Sequence, residues 1–126
     1  MSKHILVVDD EASFRFAASL FLRQEGYEVS QAENGIEAFI KITERQKQGN
    51  PFDLIVLDIQ MPGMTGIEVF DAIYENGVTT PVVFVSGYAD DRAISTLNEK
   101  ANSSLLSKPF ESSQMIEMVE LMMKSR

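Results

Sequence analysis

The chain has 126 residues, no cysteine and a formal charge of -8, from 11 Lys and Arg against 19 Asp and Glu. Its length suits one domain that buries roughly two thirds of its unfolded surface. The charge argues against nucleic acid as a direct partner, since phosphate contacts need clustered cations, and the lack of cysteine removes disulfide frameworks, thiolate nucleophiles and Cys-type zinc sites.

In chain order, Ile5-Leu6-Val7-Val8 is a β-branched apolar run that ends at Asp9-Asp10. It reads as a strand buried on both faces, as in a parallel sheet covered by helices. Met1-Ser2-Lys3-His4 leads straight into it without a signal-peptide pattern, and no apolar run exceeds five residues, so a cytoplasmic protein with no membrane insertion is expected. Phe14, Ala17, Ala18 and Phe21 follow at helical spacing, with Gly26 placed to close the helix as a C′ residue. Glu28 to Ala32 is a short second strand. Asn34-Gly35 turns into a second helix with Ile36, Phe39 and Ile40 inward, which Gly49-Asn50-Pro51 stops. Leu54-Ile55-Val56-Leu57 repeats the first pattern and ends at Asp58. A loop with Pro62-Gly63 and Gly66 then leads to a helix with Ile67, Phe70, Ile73 and Tyr74 inward, closed by Asn76-Gly77. Pro81 opens a strand that ends at Ser86. Asp90 is placed to cap a fourth helix with Ile94, Leu97 and Ala101 inward, Leu105-Leu106 make a fifth strand, and Ser112 or Ser113 starts the last helix.

Strands alternating with helices imply a flavodoxin-like, doubly wound parallel sheet of order 2-1-3-4-5 with helices on both faces and right-handed crossovers. In that order the exits of strands one and three are neighbours, so Asp9, Asp10 and Asp58 share a pocket beyond the carboxyl ends of the strands. Three carboxylates so close repel one another, and a proton or a divalent cation relieves the repulsion. All-oxygen donors suit magnesium, which prefers one or two carboxylates plus a phosphate oxygen to a closed cage. Phosphoryl transfer asks for an in-line nucleophile and neutralised equatorial oxygens, and Ser86 and Lys108 can supply a hydroxyl and an ammonium.

The segments Val8-Asp9-Asp10-Glu11, Asp58-Ile59-Gln60-Met61-Pro62-Gly63-Met64-Thr65-Gly66, Ser86-Gly87-Tyr88 and Lys108-Pro109-Phe110, in this order and spacing, resemble the receiver domain of two-component response regulators, including the chemotaxis regulators. Asn34-Gly35-Ile36-Glu37-Ala38 also fits. The resemblance spans nearly the whole chain and implies one receiver domain over residues 1–126. It implies that Asp58 accepts a phosphoryl group from a sensor histidine kinase or histidine phosphotransfer protein. Asp9, Asp10, Asp58 and the backbone carbonyl of Gln60 would hold Mg2+ or Mn2+, Lys108 would pair with the acceptor carboxylate, and Ser86 would move toward the phosphoryl group as the switch. It further implies a cis Lys108-Pro109 bond, and that Gln60 and Tyr88 screen the acyl phosphate from water. The output face would comprise the fourth helix, the fifth strand and the last helix, read by a downstream protein or effector domain.

The chain departs from the family at Leu105, where an aromatic residue usually follows the hydroxyl inward. Switching is then expected to rest mainly on the Ser86 loop and the fourth helix. Ala101-Asn102-Ser103-Ser104 lacks the pattern of the winged-helix subfamily, which removes support for that subfamily's salt-bridged dimer face but leaves open a phosphorylation-dependent homodimer through the last two helices.

Taken singly, Asp9-Asp10 reads as a solvated turn, Ser86 as a turn hydroxyl and Lys108 as a surface lysine. Asp58 differs, because ending a core run with a charge is costly unless the charge is paired or metal-bound. His4, the sole histidine, reads as the first residue of a strand with no role, so a phosphohistidine donor must come from a partner. Met115, Met118, Met122 and Met123 are too many for one stripe. Met115 and Met122 are expected in the core, and others exposed as an adaptable docking surface.

Three other functions compete with a phosphoacceptor that is not itself an enzyme. An aspartate-nucleophile phosphatase of the haloacid dehalogenase type would need an Asp where Gln60 stands. An FMN carrier would need a Ser, Thr and Gly-rich phosphate loop in place of Asp9-Asp10-Glu11. A phosphorylation-independent docking module shares the fold. Whether the chain acts alone or belongs to a longer regulator is open.

Overall fold

A computed structural model describes residues 2–87 and 103–124. Five strands, β1 (His4–Val8), β2 (Glu28–Ala32), β3 (Leu54–Asp58), β4 (Val82–Ser86) and β5 (Ser103–Ser107), form one parallel sheet of order β2-β1-β3-β4-β5, as the alternating pattern predicts. The described helices are α1 (Ala12–Gln24), α2 (Gly35–Lys47), α3 (Gly66–Glu75) and α4 (Ser112–Lys124). The helix expected from Asp90, with Ile94, Leu97 and Ala101, lies outside the described residues, as does Tyr88.

The period-2 alternation of strand side chains divides the core into two layers. On one face Leu6, Val8, Ile55, Leu57, Val82 and Phe84 pack with Ala38 and Ile42 of α2 and Val69, Phe70 and Ile73 of α3. On the other, Ile5, Val7, Leu54, Val56, Val83, Val85 and Leu106 pack with Ala18 and Leu22 of α1 and Met115, Val119 and Met122 of α4. This double burial is why the central strands carry continuous apolar runs instead of alternating ones.

The helices sit in their expected places but several are turned about their axes. In α1 the buried residues are Ala18, Ser19 and Leu22, while Phe14, Ala17 and Phe21 are half-buried along a groove facing Pro109, Phe110 and Met115. In α2, Ala38 and Ile42 are buried, whereas Ile36 and Ile40 are 64% and 49% exposed. In α3 Val69 takes the inward position expected of Tyr74, which stacks on Phe70 from the surface. Small residues share the inward faces of α1 and α2 with one large aliphatic each, Leu22 and Ile42. Met115 and Met122 of α4 are buried as expected, but Met118 and Met123 also pack against the core, so Leu121 is the exposed large apolar residue of that helix. Gly26 ends α1 with φ 94°, a conformation that strains any residue with a Cβ.

His4 has a structural place that its sequence position does not show. Its ring packs edge-on against Phe52, Nε2 lies 2.7 Å from Ser30 Oγ of β2, and Nδ1 lies 3.1 Å from Arg45 Nη1 of α2. Arginine only donates, so Nδ1 accepts, and the imidazole is neutral with its proton on Nε2.

Candidate functional site

Strand register assembles the site. Val8 pairs with Leu57, so the next residues, Asp9 and Asp58, leave the sheet side by side. Asp58 pairs with Val85 and Ser86 with Ser107, which brings Ser86 and Lys108 to the same end. The backbone N–H of Lys108 donates to the Ser86 carbonyl at 2.7 Å, locking the β5 exit to that of β4. Carboxylate oxygens of Asp9, Asp10 and Asp58 all lie within 4.8 Å of one another. Asp9 and Ser86 are fully buried, Asp58 nearly so, and Asp10 is exposed.

The Asp9 and Asp58 carboxylates are each held by the loop that follows. The Glu11 N–H donates to Asp9 Oδ1 at 2.9 Å, and the Gln60 N–H donates to Asp58 Oδ1 at 3.1 Å. Gly66 closes the loop after Asp58, its N–H donating to the Ile59 carbonyl at 2.9 Å. A Cβ at Gly66 would collide with the Asp58 carbonyl and lie 2.8 Å from Ile59 Cα. Thr65 and Glu68 then start α3 with a reciprocal capping box.

Burial, and then the charge of Asp9, push the Asp58 carboxyl up to about 7, against the opposing Gln60 N–H and Lys108 ammonium. The charge repulsion expected of the cluster therefore falls on Asp58. Lys108 makes its ion pair with Asp9, at 2.9 Å from Oδ2, and lies 3.6 Å from Glu11 Oε1. Its charge acts on Asp58 without such a pair, so the Lys108–acceptor pairing expected from the resemblance is replaced here by Lys108–Asp9. Asp9 is the most thoroughly desolvated of the three carboxylates and gains most from a cation. Burial lowers the Lys108 pKa, but the hydrogen bond and charge of Asp9, with Asp58 and Glu11, outweigh it and leave it raised. The Lys108-Pro109 peptide is cis, as the resemblance implies.

Two contacts were not foreseen. Arg15 Nη1 donates to the Asp9 carbonyl at 2.7 Å, and the Lys108 ammonium sits 4.2 Å from the centroid of the Phe14 ring. Helical side chains point back toward the N-terminus, so a basic residue one turn into a helix that starts just after a strand exit is placed to reach that exit. That is the signal by which Arg15 could have been found.

The donor set fits a hard divalent cation. All three convergent side chains offer oxygen, two of them lie at the end of the buried sheet, and burial first and then the Asp9 charge disfavour a bare Asp58 carboxylate, which a cation would relieve. Among the described residues no helix is long and apolar enough to cross a membrane.

Residues 5–120 match the family model described as "Response regulator receiver domain". The transcriptional regulatory protein ResD of Bacillus subtilis is 34% identical over 120 residues, a match covering 95% of this chain and 48% of ResD, so the chain spans about half the length of that relative. Sporulation initiation phosphotransferase F of the same organism is 30% identical over 88% of this chain and 86% of its own length. The solved structure of chemotaxis protein CheY4 of Vibrio cholerae superposes with a TM-score of 0.86 at 27% identity, over 97% of this chain and 99% of that one. Receiver domains are phosphoacceptors that interact with histidine kinases or phosphotransfer proteins, and they generally bind Mg2+ in an acidic pocket. With its sheet order, its strand-end carboxylates and this match over nearly its full length, the chain belongs to the response regulator receiver domain family.

Proposed function

We propose that Asp58 is the phosphoacceptor of this receiver domain and that residues 1–126 act as one such domain in the cytoplasm. A carboxylate oxygen of Asp58 attacks the phosphorus of a phosphohistidine on a kinase or phosphotransfer protein. The P–N bond breaks, and the imidazole leaves and takes up a proton from solvent. Asp9, Asp10, Asp58 and the Gln60 carbonyl hold Mg2+ or Mn2+, which when bound neutralises charge on the phosphoryl oxygens. The chain's own residues then act as follows. Asp58 must lose its proton to attack, so the same burial that raises its pKa to about 7 makes its ionised form the more nucleophilic. Lys108 shifts from Asp9 to the phosphoryl oxygens once Asp58 carries the acyl phosphate. Ser86, at the end of the neighbouring strand, turns its hydroxyl toward the phosphoryl group, and its movement alters the face that includes β5 and α4. A downstream protein, an effector domain or a second copy of the chain reads that face. No cap or second catalytic acid is needed, and the domain works as a switch, not as an enzyme with turnover.

The observation that carries this reading is the convergence of Asp9, Asp10 and Asp58 within 4.8 Å at the strand exits, with Lys108 on Asp9. The test is intact mass after incubation with a small-molecule acyl phosphate and Mg2+, beside an EDTA control and the Asp58→Asn protein. One phosphoryl adduct is expected, dependent on metal and absent from the variant. A folded native protein that takes no phosphoryl group would overturn the reading in favour of phosphorylation-independent docking or a phosphatase whose intermediate turns over too quickly to accumulate.

A further inference from the structure

Phe14 lies in the first turn of α1, beside the acidic pocket but outside it. Its ring face is 4.2 Å from Lys108 Nζ, and its other aromatic neighbour is Phe110, edge-on at a centroid distance of 6.0 Å and an interplanar angle of 87°. Phe110 follows Pro109 and Lys108, so the lysine and the ring that braces Phe14 belong to one short segment. Lys108 Nζ is also 2.9 Å from Asp9 Oδ2 and 3.6 Å from Glu11 Oε1. The ammonium is thus bounded by two carboxylates and one ring face.

Phe14 lines a groove with Ala17, Ala18, Pro109 and Met115 and packs edge-on against Phe110, so apolar packing accounts for part of its place. What the ring adds is a negative face toward a cation. That matters for lysine, whose compact charge rides on a flexible four-carbon stem, and the Lys108 side chain is still 21% exposed. Without a wall on the α1 side, the ammonium is free to spend time in solvent.

We propose that Phe14 is a positioning residue for Lys108: its ring face retains the ammonium at the acidic pocket, so that the charge is in place when a phosphoryl group arrives. The inference rests on the reading of Asp58 as acceptor. Phe14 touches neither Asp58 nor the transferred group, and it acts only through Lys108. A ring face is broad enough for the ammonium to slide from Asp9 toward Asp58 without leaving the pocket. Charge stabilisation of this kind accelerates transfer because the cation need not be recruited during the step.

The test replaces Phe14 with mono-, di- and trifluorinated phenylalanine, which weaken the ring face stepwise while keeping its size and apolarity, and adds Phe14→Leu. Two quantities are read: the phosphorylation rate with an acyl phosphate and Mg2+, and the NMR shifts of the Lys108 Cε protons. We expect the rate to fall with each fluorine, reaching about fivefold for the trifluoro protein, at an unchanged urea midpoint. The Cε protons should move toward free-lysine positions in the same order. A rate that ignores fluorination, or rises with it, overturns the proposal. If the native protein takes no phosphoryl group, the acceptor reading fails separately, and the NMR series alone decides: stepwise shifts support the contact, and unmoved shifts refute it.

Discussion

Replacing Asp58 by Asn should stabilise the protein at alkaline pH and leave it nearly unchanged at acidic pH. The carboxyl sits at about 7 in the folded chain against 3.8 for the free group, so the folded state holds the proton more tightly than the unfolded state. Between those two values the folded protein carries more protons, and stability falls as pH rises through the window. Above about pH 7 the full cost is present. The displacement from 3.8 to about 7 sets an upper bound of ~4 kcal/mol, and solvent screening through the open side of the pocket reduces this to about 2 kcal/mol. Asn removes the charge but keeps an oxygen that can accept the Gln60 N–H, so little is lost in exchange. Urea unfolding in EDTA at pH 3.5, pH 5 and pH 8 measures the effect. With a slope of about 1.5 kcal/mol per molar, the variant's midpoint should lie about 1 M above the native one at pH 8, by a smaller margin at pH 5, and should converge with it only near pH 3.5, below the unfolded value. Comparing the two proteins at each pH cancels the titrating groups that are not coupled to Asp58, including His4. Mg2+ at pH 8 should raise the native midpoint more than that of the variant. Two curves that stay parallel from pH 3.5 to 8 would refute the reasoning, because a pH-independent offset means that the carboxyl is not destabilised by burial and Asp9.

Gly66→Ala should cost about 2–3 kcal/mol and slow acyl-phosphate labelling, since its methyl collides with the Asp58 carbonyl and the Ile59 Cα that aim the acceptor; thermal melting and intact mass read the two effects. His4 should titrate below 6.5, because burial first and then Arg45 disfavour its charged form. Its folded pKa lies below the unfolded one, so its contribution to stability is complete above pH 6.5 and is lost as pH falls through the depressed value. An NMR titration should show the Nε2-protonated tautomer, and Arg45→Met should move the midpoint up toward 6.5.

The strands and the acidic cluster were legible because each depends on local facts. A strand buried on both faces shows as a continuous apolar run, and a charged residue ending such a run is hard to explain without a partner. Helix rotation was harder to read. In α2 the large residues Ile36 and Ile40 suggested the inward face, yet Gly35, Ala38 and Ile42 take it, because the turn of the helix about its axis is set by its packing against the sheet and α3 and not by side-chain size alone. Ser19 was passed over for the opposite reason: a hydroxyl does not enter an apolar stripe, although it is buried without a hydrogen-bond partner among the described residues. At the site, residue types and strand ends could be read, but not which carboxylate Lys108 would choose. That depends on relative desolvation, which appears only when the pocket is assembled.

The pairing of Val8 with Leu57 has a consequence for quality control. The same alignment of β1 on β3 sorts apolar side chains into the two layers and sets Asp9 beside Asp58. A slip of one residue would turn every side chain of a strand to the opposite face and pull the carboxylates apart in the same movement. A misaligned chain therefore loses its packing and its acidic cluster together, and the same alignment that builds the core builds the site.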